Sequence, residues 1–457
     1  MIDRVIDFIH TSRDRYLGEL KEYLAIPSVS ALPEHEADVT RCADWTTEEM
    51  RRVGLEHVRL IETPGNPVVY GDWLGAPGAP TILFYGHYDV QPVDPLELWT
   101  TPPFEATVRG GEIYARGAAD DKGQVFMHFK AIEAYRRDGG PLPLNIKVII
   151  EGEEEIGSVN LDAFVRDHRD ELAADVVVIS DSPMFDRGVP SLCYGLRGLT
   201  YFQIDLRGTT SDLHSGSFGG AVANPAFVLA QILSQMKDRS GRVKISGFYD
   251  DVRDLKSEER QEFAKLPFND RRYRKELGAP RLAGEKGYTT LERVWGRPTF
   301  EVNGLLSGFT GSGAKTVIPA VAMAKVSMRL VPDQEPDKIA AQFEAYVRKL
   351  APNTVELSVT RMHGGKPWMT DFDNPFVKAA GRAIERGFGQ TPVLIREGGS
   401  IPVVSTFQEV LGLPSVLFGI GLPDENAHAP NEKLDLENFH NGVVAAAYLY
   451  QEFADVS

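Results

Sequence analysis

The stretch TILFYGHYD, residues 81–89, decides the fold class of this chain. Its first five residues are apolar or β-branched on both faces, which is typical of a strand buried in a helix-covered sheet. The run then stops at a glycine, a histidine and an aspartate. In open α/β sheets, ligands bind just beyond the carboxyl ends of the strands. The stretch therefore predicts both a buried strand and a site at its end.

Three other short apolar runs repeat this pattern along the chain. They are NIKVII at 145–150, DVVVIS at 175–180 and SVLFGI at 415–420. Helical sequence lies between the runs, for example at 123–137, and apolar residues recur at helical spacing between Val39 and Val53. This alternation predicts an α/β fold in which a central mixed sheet is flanked by helices.

The pattern changes near Gly195. TYFQIDLR at 200–207, AKVSMRL at 324–330 and VELSVT at 355–360 alternate or nearly alternate apolar and polar residues, as half-solvated strands do. Between the first two of these predicted strands, Asn224 and Pro225 supply the N-cap and the first turn of a helix. We therefore expect one α/β domain in two parts, residues 1–196 and 367–457. A smaller α+β domain, residues 197–366, is inserted between them.

Composition excludes several classes of function. The 457-residue chain has a formal net charge of −16 and no basic run, so no nucleic-acid partner is expected. Two cysteines, Cys42 and Cys193, are too few for a disulfide scaffold. The N-terminus lacks the pattern of a signal peptide, and no run of about eighteen apolar residues could span a membrane. These features predict a cytoplasmic protein with no membrane partner.

Each apolar run is followed by a histidine or a carboxylate, and a fifth group precedes a predicted helix. Any one of these could be a surface residue, a solvated turn or a helix cap. Together they match the donors of zinc, manganese or cobalt, and one carboxylate can bridge two ions. If one glutamate of the 154–155 pair binds metal, the remaining one could act as a base. The candidate ligands are His87, Asp120, a glutamate of the 151–155 run, Asp181 and His428.

These segments resemble the sequence motifs of the M20 metallopeptidases, in the same order and at similar spacing over nearly the whole chain. The metal motifs are YGHYDVQP at 85–92, ARGAADDKG at 115–123, EGEEEIGS at 151–158, ISDS at 179–182 and AHAPNEKL at 427–434. DLHSGSFGG at 212–220 and GSGAKTVIP at 311–319 resemble the dipeptidase branch of the family. The resemblance implies two divalent ions per subunit, zinc or manganese with cobalt as an option.

The resemblance also implies a role for each residue of the centre. His87 and Asp181 would hold one ion, Glu155 and His428 the other, with Asp120 bridging both. Glu154 would be the general base that activates a metal-bridging water. Asp89 would orient the ring of His87 through its N–H. The peptide bond after Asp120 would be cis, as in relatives.

Further residues of the inserted domain and its surroundings are implied to act on the substrate. His214 would reach the active site of a partner subunit and stabilise the oxyanion, which implies a homodimer formed through a lid and dimerisation domain. Arg329 and Ser400 would hold the free carboxylate of the substrate. Gly398 and Gly399 would let the backbone approach that carboxylate. Thr316 and Asn303 are weaker candidates near the same group. Asn303 departs from the histidine expected in animal relatives, which weakens its assignment.

The expected function is hydrolysis of the amide bond of dipeptides that carry a free C-terminal carboxylate. The same centre could serve an aminoacylase, a carboxypeptidase or another deacylase of N-acyl amino acids. A different class of function is that of a catalytically silent, peptide-binding relative. Such a protein would lack the base or one of the metal ligands, whereas Glu154 and all five candidate ligands are present in this sequence. No GxxxxGK[ST] loop supports a nucleotide-dependent enzyme.

Overall fold

The computed structural model describes residues 2–371, 373–399 and 401–456, which form two compact units. Unit 1 comprises Met1–Tyr194, Thr370–Ile395 and Thr406–Ser457, and unit 2 comprises Gly195–Met369 and Arg396–Ser405. The predicted mixed α/β fold is confirmed. Among the described residues, no helix is both long enough and apolar enough to cross a membrane.

The helices and strands are numbered in chain order. The helices are α1 Ile2–Thr11, α2 Arg13–Leu24, α3 Glu36–Arg52, α4 Lys122–Ala134, α5 Leu161–Asp167, α6 Ser215–Phe218, α7 Pro225–Ser234, α8 Ser257–Lys265, α9 Asp270–Glu276, α10 Thr290–Gly296, α11 Pro336–Leu350, α12 Pro375–Phe388, α13 Pro402–Thr406 and α14 Leu436–Ala454. The strands are β1 Glu56–Ile61, β2 Val68–Trp73, β3 Thr81–His87, β4 Thr107–Arg109, β5 Glu112–Tyr114, β6 Asn145–Glu151, β7 Val176–Ile179, β8 Ser191–Leu196, β9 Gly198–Arg207, β10 Leu213–His214, β11 Thr299–Ser307, β12 Val317–Ile318, β13 Val321–Leu330, β14 Glu356–Gly365, β15 Trp368–Met369, β16 Val393–Glu397, β17 Ser415–Leu417 and β18 Lys433–Asp435.

Unit 1 is built on a mixed sheet in which β1, β2, β6, β3, β7, β17 and β8 are neighbours in that order. The pairs β6–β3, β3–β7 and β7–β17 are parallel, while β1–β2, β2–β6 and β17–β8 are antiparallel. Ile82 and Phe84 of β3 join the apolar core that α4 and α14 also enter, and Leu83 and Tyr85 on the opposite face are buried as well. Burial on both faces explains why residues 82–85 of β3 are apolar without alternation.

Unit 2 contains a four-stranded antiparallel sheet in the order β11, β13, β9, β14. Alternate residues of β13, from Ala322 to Leu330, form the unit's core with α7 and α11. The Asn224 side chain caps α7 by accepting a hydrogen bond from the backbone N–H of Ala226 at 3.0 Å. The strands β10 and β12 form a separate short ladder.

Candidate metal centre

The edge of the unit 1 sheet collects the polar side chains that follow its parallel strands. His87 is the last residue of β3, Asp181 follows β7, and Glu155 lies in a short turn of 3₁₀-helix, Glu154–Ile156, after β6. His428 lies in the loop after β17. Because β3, β6, β7 and β17 are parallel, their carboxyl ends meet at one edge.

The five predicted ligands form two groups that share one carboxylate. The first group is His87, Asp120 and Asp181, and the second is Asp120, Glu155 and His428; the ligand atoms within each group lie within 4.8 Å of one another. Asp120 presents Oδ1 to His87 Nε2 at 3.2 Å and Oδ2 to His428 Nε2 at 2.8 Å. Two adjacent cation sites with a bridging aspartate match this arrangement.

The outer ligands complete the two groups. Asp181 Oδ2 lies 4.0 Å from His87 Nε2, and Glu155 Oε2 lies 3.2 Å from His428 Nε2. Each group therefore offers one imidazole nitrogen and two carboxylates. Neutral nitrogen with carboxylate oxygen is a donor set that zinc, manganese and cobalt accept.

The electrostatics of the centre also favour bound cations. Burial, and next the charge of Asp120, raise the pKa of Asp181 to about 7. Burial alone would lower the pKa of His87, but the carboxylates of Asp120 and Asp89 raise it well above its ordinary value. Within the described part of the chain, His87 Nε2 is buried without a hydrogen-bond partner. A cation at this nitrogen would satisfy it and would relieve the repulsion between the carboxylates.

Asp89 connects the two sides of the centre. Its backbone oxygen lies 3.1 Å from His87 Nδ1 and can accept that N–H, which leaves Nε2 facing the ligand group. Its carboxylate accepts hydrogen bonds from the backbone N–H groups of Glu154 at 3.3 Å and Glu155 at 3.1 Å. The Ser30 hydroxyl donates to the same carboxylate at 2.6 Å. Asp89 therefore contacts both the ring of His87 and the turn that carries the two glutamates.

Glu154 lies beside the ligands without belonging to either group. Burial raises the pKa of its carboxyl well above the ordinary value, and the carboxylates of Asp181 and Asp120 act in the same direction. A glutamate in these surroundings binds a proton more readily than one in water. That property suits a group that accepts and then returns a proton.

The loop that carries Asp120 is held by Glu432, a residue with no individual role in the sequence interpretation. Glu432 is fully buried, and its Oε2 accepts hydrogen bonds from Arg116 Nη1 at 2.7 Å and the Gly117 N–H at 3.0 Å. Its Oε1 accepts from the backbone N–H groups of Ala119 at 2.9 Å and Asp120 at 3.1 Å. The peptide bond between Asp120 and Asp121 is cis, as the resemblance predicts.

Gln91 is a second contact that the sequence interpretation missed. Its side-chain amide donates to Glu155 Oε2 at 2.7 Å. Both Gln91 and Glu432 lie inside motifs that the sequence comparison had already singled out, YGHYDVQP and AHAPNEKL. Their position in these motifs is the signal that could have found them.

The residues predicted to act on the substrate lie in unit 2. His214 is exposed at the start of α6, and its Nδ1 accepts the backbone N–H groups of Gly216 at 3.0 Å and Ser217 at 3.3 Å. In the neutral ring the proton must then sit on Nε2. Thr316 is close to it, because the Thr316 carbonyl accepts the Ser215 N–H at 3.1 Å.

Arg329 lies on β13 and is half-buried, whereas Asn303 lies exposed on β11; both line one cavity of unit 2. Gly399 is exposed, and its carbonyl accepts the Arg197 N–H at 3.1 Å. Ser400, the other predicted carboxylate ligand, lies outside the described residues.

Comparison with known proteins gives consistent matches over the whole chain. The profile of "Peptidase family M20/M25/M40" matches residues 83–452. The Cys-Gly metallodipeptidase dug1 of Schizosaccharomyces pombe is 35% identical, over 100% of this chain and 99% of that protein. The human Beta-Ala-His dipeptidase is 31% identical, over 100% of this chain and 93% of that protein.

Two solved structures resemble this one closely. Human carnosine dipeptidase 1 superposes with a TM-score of 0.85 at 32% identity, covering 99% of this chain and 98% of that one. The M20 family metallo-carboxypeptidase Sso-CP2 from Sulfolobus solfataricus has a TM-score of 0.86 at 34% identity, covering 96% of this chain and 99% of that one.

Proposed function

The chain belongs to peptidase family M20/M25/M40, and from that premise we propose that it is a metal-dependent dipeptidase. Its substrates are dipeptides with a free C-terminal carboxylate, and the bond cleaved is their amide bond. The observation that carries the proposal is the pair of ligand groups that share Asp120. Full-length similarity to metallodipeptidases supports the substrate class.

The five ligands would hold two divalent ions, zinc or manganese, with cobalt as an option. His87 and Asp181 would hold one, Glu155 and His428 the other, and Asp120 would contact both. Two ions so placed would polarise the substrate carbonyl and make a water molecule more acidic.

Glu154 carries out the proton transfers. Its carboxylate takes a proton from the attacking water and returns it to the leaving amine. The hydrogen bonds of Asp89 to the backbone of residues 154 and 155 hold this carboxylate in position. The raised pKa of Glu154 favours its holding the proton between the two transfers.

Residues of unit 2 bind the substrate and stabilise the developing negative charge. Arg329 binds the free carboxylate through two N–H groups, and Ser400 shares this role. Gly399 lets the backbone approach the carboxylate, and Thr316 and Asn303 are weaker candidates for contact with it. His214 donates its Nε2–H to the oxyanion in the active site of a partner subunit. Its exposure supports this role, because the ring is accessible to a second copy of the chain.

A homodimer formed through residues 197–366 follows from that role. The edge strand β11 exposes Val302, Leu305 and Leu306, whose side chains are 47%, 63% and 57% exposed. An edge strand with exposed apolar side chains is a surface that proteins usually cover. We further propose a cytoplasmic location, since neither Cys42 nor Cys193 forms a disulfide among the described residues.

Mixing two inactive variants tests the dimer. Glu154→Gln removes the base, and His214→Ala removes the oxyanion donor of the other subunit. In a mixed dimer one site regains both groups, so random mixing restores up to about a quarter of wild-type activity. No recovery after exchange of subunits, verified by mass spectrometry of the dimers, would refute action across subunits.

The alternative that a specific observation favours is a carboxypeptidase, because Sso-CP2 is 34% identical. Release of amino acids from alanyl dipeptides, alanyl tripeptides and N-acetyl amino acids separates the possibilities. A dipeptidase hydrolyses the dipeptides with the highest kcat/KM. Preference for tripeptides would indicate a carboxypeptidase, and preference for N-acetyl amino acids would indicate an aminoacylase.

A further inference from the structure

The fold supports the two groups of metal ligands unequally. In the first group, His87 ends the buried strand β3 and its side chain is 0% exposed, so the sheet fixes its position. In the second group, His428 lies in the loop of residues 418–432 between β17 and β18, and its side chain is 56% exposed. Its φ of 60° is uncommon for a residue with a Cβ atom. The geometry of the second group therefore depends on what holds this loop.

Residues 91–100, which we call the strap, contact the second group at one end. The Gln91 side-chain amide donates to Glu155 Oε2 at 2.7 Å and to the Glu155 backbone oxygen at 3.3 Å. Both partners are acceptors, so the NH₂ group of Gln91 must face Glu155. The same Oε2 lies 3.2 Å from His428 Nε2. Because a carboxylate oxygen has more than one lone pair, Gln91 can hold this ligand atom without displacing an ion.

At its other end the strap is joined to the loop that carries His428. Asn431 Oδ1 accepts the Thr100 N–H at 2.8 Å, and Asn431 Nδ2 donates to the Leu98 carbonyl at 2.8 Å. One contact needs an acceptor and the other a donor, so an asparagine satisfies both and an aspartate only one. Asn431 has a φ of 63°, which asparagine and glycine adopt most readily. The loop is thus tied to the strap three residues after His428.

The strap is itself held by a buried arginine. Arg116 Nη2 donates to the Pro92 carbonyl at 3.0 Å, and the Arg116 guanidinium carbon lies 5.4 Å from the centre of the Trp99 ring. The Trp99 Nε1–H donates to the Val93 carbonyl at 2.8 Å. Arg116 also pairs with Glu432, at the end of the loop that the strap contacts. The strap is therefore a fixed support for both of its contacts with the second group.

We propose that Gln91 and Asn431 are positioning residues for one of the two ions only, the ion of the second group. This role rests on the proposed function, in which each group holds one ion. Gln91 acts through the ligand oxygen of Glu155, and Asn431 acts through the backbone that carries His428. Loss of a residue that orients a metal ligand weakens metal binding about 10–100-fold, so removal of either should weaken this ion at least about tenfold.

Variants that keep a single ion site separate the two groups. His87→Ala leaves the second group and His428→Ala leaves the first, and calorimetric titration with zinc measures the ion that remains. Adding Gln91→Ala should weaken zinc binding about tenfold in the His87→Ala background and less than about twofold in the His428→Ala background. Gln261→Ala, which removes an exposed glutamine of α8, is the matched control and should change neither affinity. Equal losses in both backgrounds, or none in either, would overturn the proposal.

Substitutions at Asn431 separate the side chain from the backbone in the otherwise unchanged protein. Asn431→Gly keeps the left-handed conformation and removes both hydrogen bonds, so one ion should bind as in the wild type and the other about tenfold more weakly. Asn431→Asp, which keeps the contact with Thr100 and loses the donor to Leu98, should also weaken one ion. Asn353→Gly, in the exposed turn before β14, is the matched control and should bind both ions normally.

The outcomes distinguish this role from a purely structural one and from the proposed function. An Asn431→Gly protein that unfolds at a lower urea concentration but binds both ions as tightly as the wild type would overturn the positioning role. Wild-type protein that binds only one zinc ion per subunit would overturn it as well. Wild-type protein that binds two ions and hydrolyses no dipeptide would refute the proposed function, and the selective effect of Gln91 and Asn431 on one ion would still stand.

Discussion

Replacing Glu432 with glutamine should destabilise the protein strongly, although the side chain keeps its size. Each Glu432 oxygen accepts two N–H groups, and Arg116, which is 1% exposed, has this carboxylate as a buried ion-pair partner. A glutamine amide must point its NH₂ group at two of the four donors, so at least two hydrogen bonds are lost. Charge-assisted hydrogen bonds contribute about 1.5–3 kcal/mol each. Breaking a buried ion pair costs about 3–5 kcal/mol. We therefore expect the free energy of unfolding to fall by about 3–5 kcal/mol.

Urea unfolding in the presence of a chelator measures this loss without a contribution from bound metal. Glu437→Gln is the matched control, because Glu437 is 66% exposed and lies 3.6 Å from Arg13, so the change should be within about 0.5 kcal/mol. Glu432 also holds the backbone N–H of Asp120, so metal affinity should fall about 10–100-fold, as calorimetry would show. A Glu432→Gln variant within about 1 kcal/mol of wild type would refute the reasoning.

Three further outcomes are expected. The Glu154→Gln variant should still bind two ions per subunit by calorimetry, but its turnover should fall by at least about a hundredfold, because only the proton acceptor is removed. Near-normal turnover would refute the assignment of Glu154 as the base. Amidation of the dipeptide's C-terminus should lower kcat/KM about 10–100-fold, since Arg329 loses its charged partner, and equal cleavage would refute the carboxylate contact. Burial lowers the pKa of His128 to about 3, so the neutral ring favours the folded state. This stabilisation is fully present above pH 6.5 and is lost as the pH falls towards 3. The loss is about 2 kcal/mol at pH 5. The measurement is the urea midpoint of a His128→Asn variant and of the wild type as a function of pH. An equal change with pH in both proteins would contradict the contribution assigned to His128.

The buried strands could be predicted from the sequence because each is apolar on both faces. TILFY and NIKVII lie in β3 and β6, as predicted. SVLFGI was predicted as one run, but β17 ends at Leu417. Just after Leu417 the backbone passes very close to Ser182. A Cβ atom at Gly419 would lie 1.8 Å from the Ser182 backbone oxygen. The helix predicted at 123–137 ends at Ala134 and continues as a wider turn of π-helix.

The edge strand β11 was not predicted, because it lacks a clear alternation. Its sequence, TFEVNGLLS, is exposed at most positions, and its pairing with β13 shifts register between Val302 and Gly304. Pairing with a neighbouring strand, which the local sequence does not encode, determines where it lies.

The candidate centre was predictable as a set of residue types at strand ends, since parallel strands place their carboxyl ends together. The role of Glu432 was not predictable in this way. Its four donors lie more than three hundred residues earlier in the chain, and only the folded loop brings their N–H groups to one carboxylate.

The central claim is that two divalent ions held by the groups sharing Asp120 are required for dipeptide hydrolysis. The most direct measurement strips the protein with a chelator and refills it with zinc, manganese or cobalt while alanyl dipeptide hydrolysis is followed. We predict that activity vanishes on stripping and returns as binding approaches two ions per subunit. Undiminished hydrolysis by fully stripped protein, or no hydrolysis with any of the three ions, would contradict the claim.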